Sequence, residues 1–506
     1  MANYKQYTYD QMIMVPINLE HQLQPGSLEF TIHRIVEKHL DLSIFNDRYK
    51  NDETGRPAYD PKVLLKVIIL AYSRGINTSR KIEAACRENV IFMALACDQT
   101  PDYSTIANFI SGINKEIENL FEKVLLVCEE QDLLGGTCFA IDGCKLRSNA
   151  SKSKSGTLDQ IQEKRDRLQA KLSRIITKNK RADAQEQING AAGTTENTRD
   201  KKIKKLEKDI ERIDAWLNQA VPKKGQKKKE LKSNMTDNDS AQMQSSHGTV
   251  QGYNAQALVD SKHQIIVSAK AIGTATDSEN LNPVLQRAKA NMQAIGKTKD
   301  YFRGKQLLAD ANYHSENNLK TCAAEGLDAY IPDNSFRSRD PRMAPLDQLN
   351  DENVQRKFTA ADFAYDAENN TCVCPAGHQL RRDGKNKKGQ IYYLKFIADK
   401  NNCRSCPHRT LCIDSEKSQS RHLYLYADDQ ARYIALEMLQ KFDDEQGRSI
   451  YDQRISIVEP VFGNVREQKR LDRFTLRGEI KVNIQWILYC IVHNVEKIAN
   501  YGTSFA

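Results

Sequence analysis

The sequence predicts an α/β fold built on a mixed sheet with flanking helices, joined to an all-α N-terminal domain and interrupted by a helical hairpin and a small cysteine-rich segment. Three observations predict it. Between residues 138 and 331, short apolar runs of strand length appear first as a hairpin and then in alternation with helical segments. On either side of residue 190, two long stretches carry apolar residues at helical spacing. Five of the twelve cysteines crowd between Cys372 and Cys412.

A chain of 506 residues exceeds one ordinary hydrophobic core, so roughly two to four units are expected. Hydrophobic residues at 40% and charged residues at 28% describe a soluble globular chain. The net charge of +9 suits a polyanionic partner without demanding one. The longest apolar run, Val63 to Tyr72, is broken by Lys66 and is too short for a bilayer, so no membrane partner is expected. The N-terminus lacks the regions of a secretory signal, and the chain is read as cytosolic, where clustered cysteines favour metal over disulfides.

Residues 1–131 are expected to form the helical N-terminal domain, a candidate DNA-binding unit. Val63, Leu64, Val67, Ile68 and Ala71 follow helical spacing, as do Ile117, Leu120, Phe121, Val124 and Leu125. Asp60 and Pro61 mark a helix start, as N-cap and first position. The core's first part, residues 132–335, begins with a strand from Cys138 to Ile141. An insertion at 155–222 reads as an antiparallel helical hairpin: Leu158, Ile161, Leu168, Leu172 and Ile175 face Ile203, Leu206, Ile210, Ile213 and Leu217. The strands resume as Tyr253 to Val259 and Gln264 to Ala271, turned at Asp260 to His263. Helix Glu279 to Ile295, strand Gln306 to Ala309, helix Ser315 to Glu325 and strand Ala329 to Ile331 follow. Residues 336–426 form the cysteine-bearing insertion, and 427–506 return to the core. A three-stranded hairpin followed by alternation is the order of a ribonuclease-H-like sheet, whose right-handed crossovers bring strand ends together.

Two of those strands end in an acid. Asp142 is expected to close the first strand just before Gly143 turns the chain, and Asp310 closes the strand that starts at Gln306, with Ser315 capping the next helix. Tyr451 to Arg466 reads as a helix carrying Glu459 among basic residues. Each stretch alone also fits a plain role, an Asp in a turn or a solvated ion pair. Together they supply three oxygen ligands from separated elements, which is what a pair of divalent cations about 3.5–4 Å apart needs to clamp the two reacting oxygens of a phosphodiester.

The chain resembles the DDE transposases of bacterial insertion sequences, in the branch with a helical N-terminal domain and a cysteine-bearing insertion. The resemblance rests on RPAYDPKVLLKVIILAYSRGINTSRKIE and PDYSTIANF in the first domain, AIDGCKLRSNAS at the first acid, GYNAQALVD in the hairpin, LLADANYHSE at the second acid, YDQRISIVEPVFGNVR at the third, and the closing FTLRGEIKVNIQWILYCIVHNVEKI. It implies metal-dependent strand cleavage and strand transfer at the ends of an insertion sequence, with Asp142, Asp310 and Glu459 as catalytic acids. Two Mg²⁺ ions, or Mn²⁺ in their place, would be shared by Asp142 and completed by Asp310 and Glu459. Terminal-repeat and target DNA are the implied partners, bound by a homodimer on paired ends in a bacterial, nucleoid-associated protein. The rival expectations are a nuclease of the same core that cannot join ends and a zinc-containing DNA-binding protein that has lost catalysis.

In related elements a Tyr, Arg, Glu and Lys recur along the third-acid helix, and here Tyr451, Arg454, Glu459 and Arg466 stand in those places, with one extra residue before the acid. On an unbroken helix Arg466 falls about 20° short of two turns beyond Glu459 and shares its face, whereas Arg454 is less well aligned. Tyr451, Arg454 and Arg466 are expected at DNA, the guanidinium fork matching phosphate oxygens. Lys145 and the run Lys223, Lys224, Lys227, Lys228 and Lys229 are further candidate phosphate contacts, the run also reading as a solvated linker. Asn312 stands where relatives favour glycine, and Asn tolerates a left-handed turn. In the cysteine insertion, Cys374, Cys403, Cys406 and Cys412 make a four-sulfur, zinc-ribbon-like set for a structural Zn²⁺, with Cys372, His378 or His408 as alternative ligands, or the thiols staying metal-free.

Overall fold

A computed structural model describes residues 18–48, 57–189, 196–224, 230–245, 248–343, 357–388, 391–413, 415 and 417–503. Its main sheet is mixed and is made of β1 (Cys138–Arg147), β2 (Ala241–Ser245), β3 (Gly248–Asp260), β4 (Ile266–Ile272), β5 (Gln306–Ala309) and β6 (Asp328–Tyr330). β1 stands at the centre. It pairs antiparallel with β3, Asp142 opposite Ala257, and parallel with β5, which pairs parallel with β6. β3 carries β4 and β2 antiparallel on its far edge. Nearly all of β3 is buried, as a strand covered on both faces must be.

β1 runs four residues past Gly143, where a turn was expected, and Gly143 keeps pairing opposite Gln256. The glycine is there for space. A Cβ on Gly143 would stand 2.0 Å from Gln256 Nε2 and 2.5 Å from Asn254 Oδ1. Asp142 therefore sits within a strand, paired with Ala257 of β3 and one residue past the last pair with β5, Ile141 with Ala309.

The C-terminal helix Glu479–Tyr501 joins the sheet to the N-terminal helices. Strand β4 would otherwise present open backbone groups along its edge. Asn494 closes them at Ile266, donating to its carbonyl and accepting from its N–H, each at 2.9 Å, and Asn483 does the same at Ala271, each at 2.9 Å. On its other side this helix meets Pro61–Ser73, where the rings of Tyr72 and Tyr489 lie 4.8 Å apart. One apolar core thus continues from Ile32 through the sheet to Ile498. Lys66, the charge that breaks the apolar run of Pro61–Ser73, is fully buried and donates to Glu37 at 2.9 Å. Asp60 caps that helix from the position its sequence marks, accepting from Lys62 N at 2.8 Å.

Helices Leu158–Asn189 and Glu196–Leu217 form the expected hairpin, zipped by Leu172, Leu206 and Ile210 and tied by Arg165 to Asp214 at 2.9 Å. Lys223–Lys224 is no open linker: it pairs with Glu230–Leu231 as a short ladder. The cysteine insertion holds a separate five-stranded antiparallel sheet, Ala364–Asp366, Thr371–Val373, Gln379–Lys388, Ile391–Ile397 and His422–Tyr426, in that order. Its small core is Phe363, Cys372, Leu380, Leu394, Phe396, Leu423 and Leu425. Among the described residues no helix is long and apolar enough to cross a membrane.

Candidate active site

Five carboxylates, Asp142, Asp277, Asp310, Glu459 and Asp472, line one polar cleft of about 620 Å³ beside β1. Asp142 reaches it from the middle of β1. Its Oδ1 accepts from Gly143 N at 2.7 Å, and its Oδ2 from Arg454 Nη1 at 2.8 Å. Burial pushes its carboxyl up to about 6 despite Arg454 and the Gly143 N–H, and the nearby charge of Asp310 adds to the rise. Asp310 follows β5, where the sequence places it, and caps the 3₁₀ turn Ala311–Tyr313. Asn312 does not adopt a left-handed conformation; its N–H and its side-chain amide both donate to Asp310, each at 2.9 Å. Ser315 caps the next helix as expected, accepting from Asn318 N at 3.4 Å. Glu459 is exposed on helix Glu445–Gly463, one face of which reaches β1 through Arg454.

Asp277, like Asp472, is a cleft acid that sequence reasoning missed. It lies in the connection after β4, is nine-tenths buried, and accepts from Asn254 Nδ2 at 2.6 Å and Gln256 Nε2 at 2.9 Å. Burial raises its carboxyl above the usual range, and the charge of Asp310 pushes the same way. A signal was present in GYNAQALVD: two amides, two residues apart on one face of an otherwise apolar buried strand, need a buried polar partner.

The remaining sequence candidates divide. Lys145 and Arg466 line the cleft, Lys145 Nζ donating to Gln244 O at 2.9 Å and Arg466 lying beside the Cys144 thiol. Arg466 does not continue the α-helix of Glu459. It falls in a π-helical stretch, Asn464–Gln468, closed by Lys469 N to Asn464 O at 3.1 Å, so the phase drawn for an unbroken helix does not apply. Arg454, the poorly aligned residue, is the one in contact with the first acid. Tyr451 is wedged edge-on against Phe336 and Phe442, at 5.5 and 5.0 Å between ring centres, with the Arg454 guanidinium above its ring. Lys223 points inward. Its ammonium donates to the carbonyls of Asn238 and Ser240, and burial lowers its pKa. Lys224 is exposed, while Lys227, Lys228 and Lys229 lie outside the described residues.

Cys374, Cys403, Cys406 and Cys412 line a second cavity of about 30 Å³, together with His378. A void that small holds an ion or a water. The Cys412 thiol is pushed up by burial and by the other three sulfurs, against the pull of Arg421. Cys372 belongs to the small core instead, its thiol raised to about 11 by burial, and His408 packs edge-on to Phe358 at 5.7 Å.

Among the described residues no three His, Cys, Asp or Glu side chains are drawn together tightly enough to hold a metal ion as they stand. The donor chemistry nevertheless fits two different ions. The Asp310 charge that raises the carboxyls of Asp142 and Asp277 around a polar cleft suits a hard dication, which would relieve that repulsion. Four sulfurs around a small void suit zinc.

Residues 17–112 match the family described as Transposase domain (DUF772), and residues 373–499 match the family described as Transposase DDE domain. The second match takes in Glu459 and the C-terminal helix, while Asp142 and Asp310 precede it. No curated protein matches the chain. A DDE transposase domain implies use of a divalent metal, typically Mg²⁺. Two transposase-family matches at opposite ends of one chain support a DDE transposase of the insertion-sequence type.

Proposed function

We propose that this protein cleaves and joins DNA at the ends of its element, with Asp142, Asp310 and Glu459 as the catalytic acids. One observation carries the reading: acids from β1, from the end of β5 and from a helix near the C-terminus line a single polar cleft. The sheet order, with β4 and β2 on β3, then β1, β5 and β6, supports a ribonuclease-H-like core. Asp142, Asp310 and Glu459 would hold two Mg²⁺ or Mn²⁺ ions. When bound, these supply the charge that activates the attacking oxygen and stabilises the leaving one in an in-line displacement.

The chain's own groups do the rest. Gly143 N and Arg454 orient the Asp142 carboxylate, and Tyr451 packs behind Arg454. Asn312 fixes Asp310. Lys145 and Arg466 stand at the cleft where a phosphate strand would lie, and Lys224, with Lys227, Lys228 and Lys229, adds salt-dependent affinity. Cys374, Cys403, Cys406 and Cys412 would hold a structural Zn²⁺, which would brace the five-stranded sheet. The helical N-terminal domain contacts terminal-repeat DNA, and a homodimer holds paired ends in the bacterial nucleoid.

The test is incubation of the full chain with its element's ends and a target duplex in Mg²⁺, with products resolved by strand. Asp142→Ala is expected to keep DNA binding and lose cleavage; nicking by that variant at the wild-type rate overturns the assignment. Cleavage by the wild type without any joined product would leave a nuclease in place of a transposase.

A further inference from the structure

We propose that Asp277 is a fourth carboxylate ligand of the same metal centre, positioned by Asn254 and Gln256. The inference rests on reading the cleft as a metal-dependent site and adds to it a ligand that the three-acid pattern does not contain. Aspartates in loops ordinarily accept hydrogen bonds from their own backbone a residue or two ahead. Asp277 does not. Its Oδ1 takes both side-chain amides that β3 presents on one face, Asn254 Nδ2 at 2.6 Å and Gln256 Nε2 at 2.9 Å. Among the described residues no donor reaches its Oδ2, although the side chain lines the cleft.

The surroundings are arranged to keep that geometry. Gln256 Oε1 accepts from the Tyr313 hydroxyl, and Tyr313 belongs to the turn that Asp310 caps, so the second acid and Asp277 are tied through one amide. Beside the first acid, Gly143 leaves out the Cβ that would collide with both amides. Asn254 Oδ1 is buried without a partner among the described residues, a cost in stability incurred because the amide is turned to donate to Asp277. A carboxylate with one oxygen pinned and the other turned to a polar cleft is a monodentate ligand for a hard dication. Six-coordinate ions, two of them, also call for more oxygens than three acids supply.

The experiment measures Mn²⁺ binding to the full chain by electron paramagnetic resonance, without DNA, for the wild type, Asp277→Asn and Asp142→Asn. Asparagine at 277 keeps an oxygen for the two amides, so circular dichroism and melting temperature should hold. Affinity for Mn²⁺ is expected to fall about tenfold or more. Asn254→Ala, which leaves the carboxylate intact and frees it to swing, should weaken binding by a smaller factor and serves if Asp277→Asn does not fold. Wild-type affinity in both variants, with weakened binding in Asp142→Asn, overturns the role of Asp277 alone. Wild-type affinity in Asp142→Asn as well overturns the metal reading of the cleft, and the inference with it.

Discussion

Arg454 Nη1 lies 2.8 Å from Asp142 Oδ2, so a residue 312 positions away supplies the countercharge of the first acid. The pair is largely buried, with 11% and 19% of the two side chains exposed. Removing the guanidinium leaves Asp142 beside Asp310 with only the Gly143 N–H to hold its charge. Arg454→Gln is expected to cost about 2 kcal/mol of stability, less than a fully buried pair because solvent reaches both groups. A divalent cation can replace the lost charge, so Mg²⁺ should raise the melting temperature of the variant more than that of the wild type. Equal shifts in a thermal denaturation series would count against a shared cation position.

Gly143 and Gly252 face each other's strands for different reasons, and alanine should separate them. At Gly143 the new methyl meets the amides that hold Asp277, so about 1–3 kcal/mol of stability is lost while cleavage drops steeply. At Gly252 it would stand 1.9 Å from the backbone oxygen of Leu146, which no rotamer change relieves. Gly252→Ala is therefore expected to unfold at markedly lower denaturant than Gly143→Ala. The reverse order in urea melts would contradict the packing described.

His493 is fully buried in the C-terminal helix, and its Nε2 donates to Gln264 O at 2.9 Å, fastening the β3–β4 turn. Burial drives its pKa down to about 3, against that hydrogen bond, and Lys469 and Lys497 push it the same way as burial. A histidine depressed from its ordinary 6.5 stabilises the fold fully above that pH and loses the contribution as pH falls toward 3. His493→Gln should flatten stability between pH 6.5 and 4 in denaturant titrations. An unchanged acid limb would assign the loss to other groups.

Zinc analysis of purified protein is expected to find one ion per chain, lost in Cys403→Ser and retained in Cys372→Ser. The difference follows from placement, since Cys403 lines the four-sulfur cavity while Cys372 is packed in the small core. Limited proteolysis should open the five-stranded sheet in the first variant only. Retained zinc in Cys403→Ser would remove that residue from the ligand set.

Much of this fold was legible because its signals are local. The caps at Asp60 and Ser315, the paired apolar stripes of the helical hairpin, the turn after Asp260 and the strand ending at Asp310 each follow from a few neighbouring residues. The misreadings have one cause as well. Local preference predicts a turn at Gly143 because glycine is a turn residue, yet its reason is two side chains from the next strand. The charge run predicts a solvated Lys223, yet carbonyls fifteen and seventeen residues on receive it. Helical phase puts Arg466 on the face of Glu459, and the π-helical stretch changes that phase.

Backbone preference and apolar periodicity act over one or two turns, so they already specified the helices, the strands, two acids at or near strand ends and a cysteine cluster. They carry no information about which charges meet. The pairing of Arg454 with Asp142, the pinning of Asp277 by Asn254 and Gln256, and the gathering of Asp142, Asp277, Asp310 and Glu459 around one cleft arise only when β1, β3, β5 and the Glu459 helix pack together. Electrostatic partners are set by distance through space, and Arg454 and Asp142 meet across 312 positions of sequence.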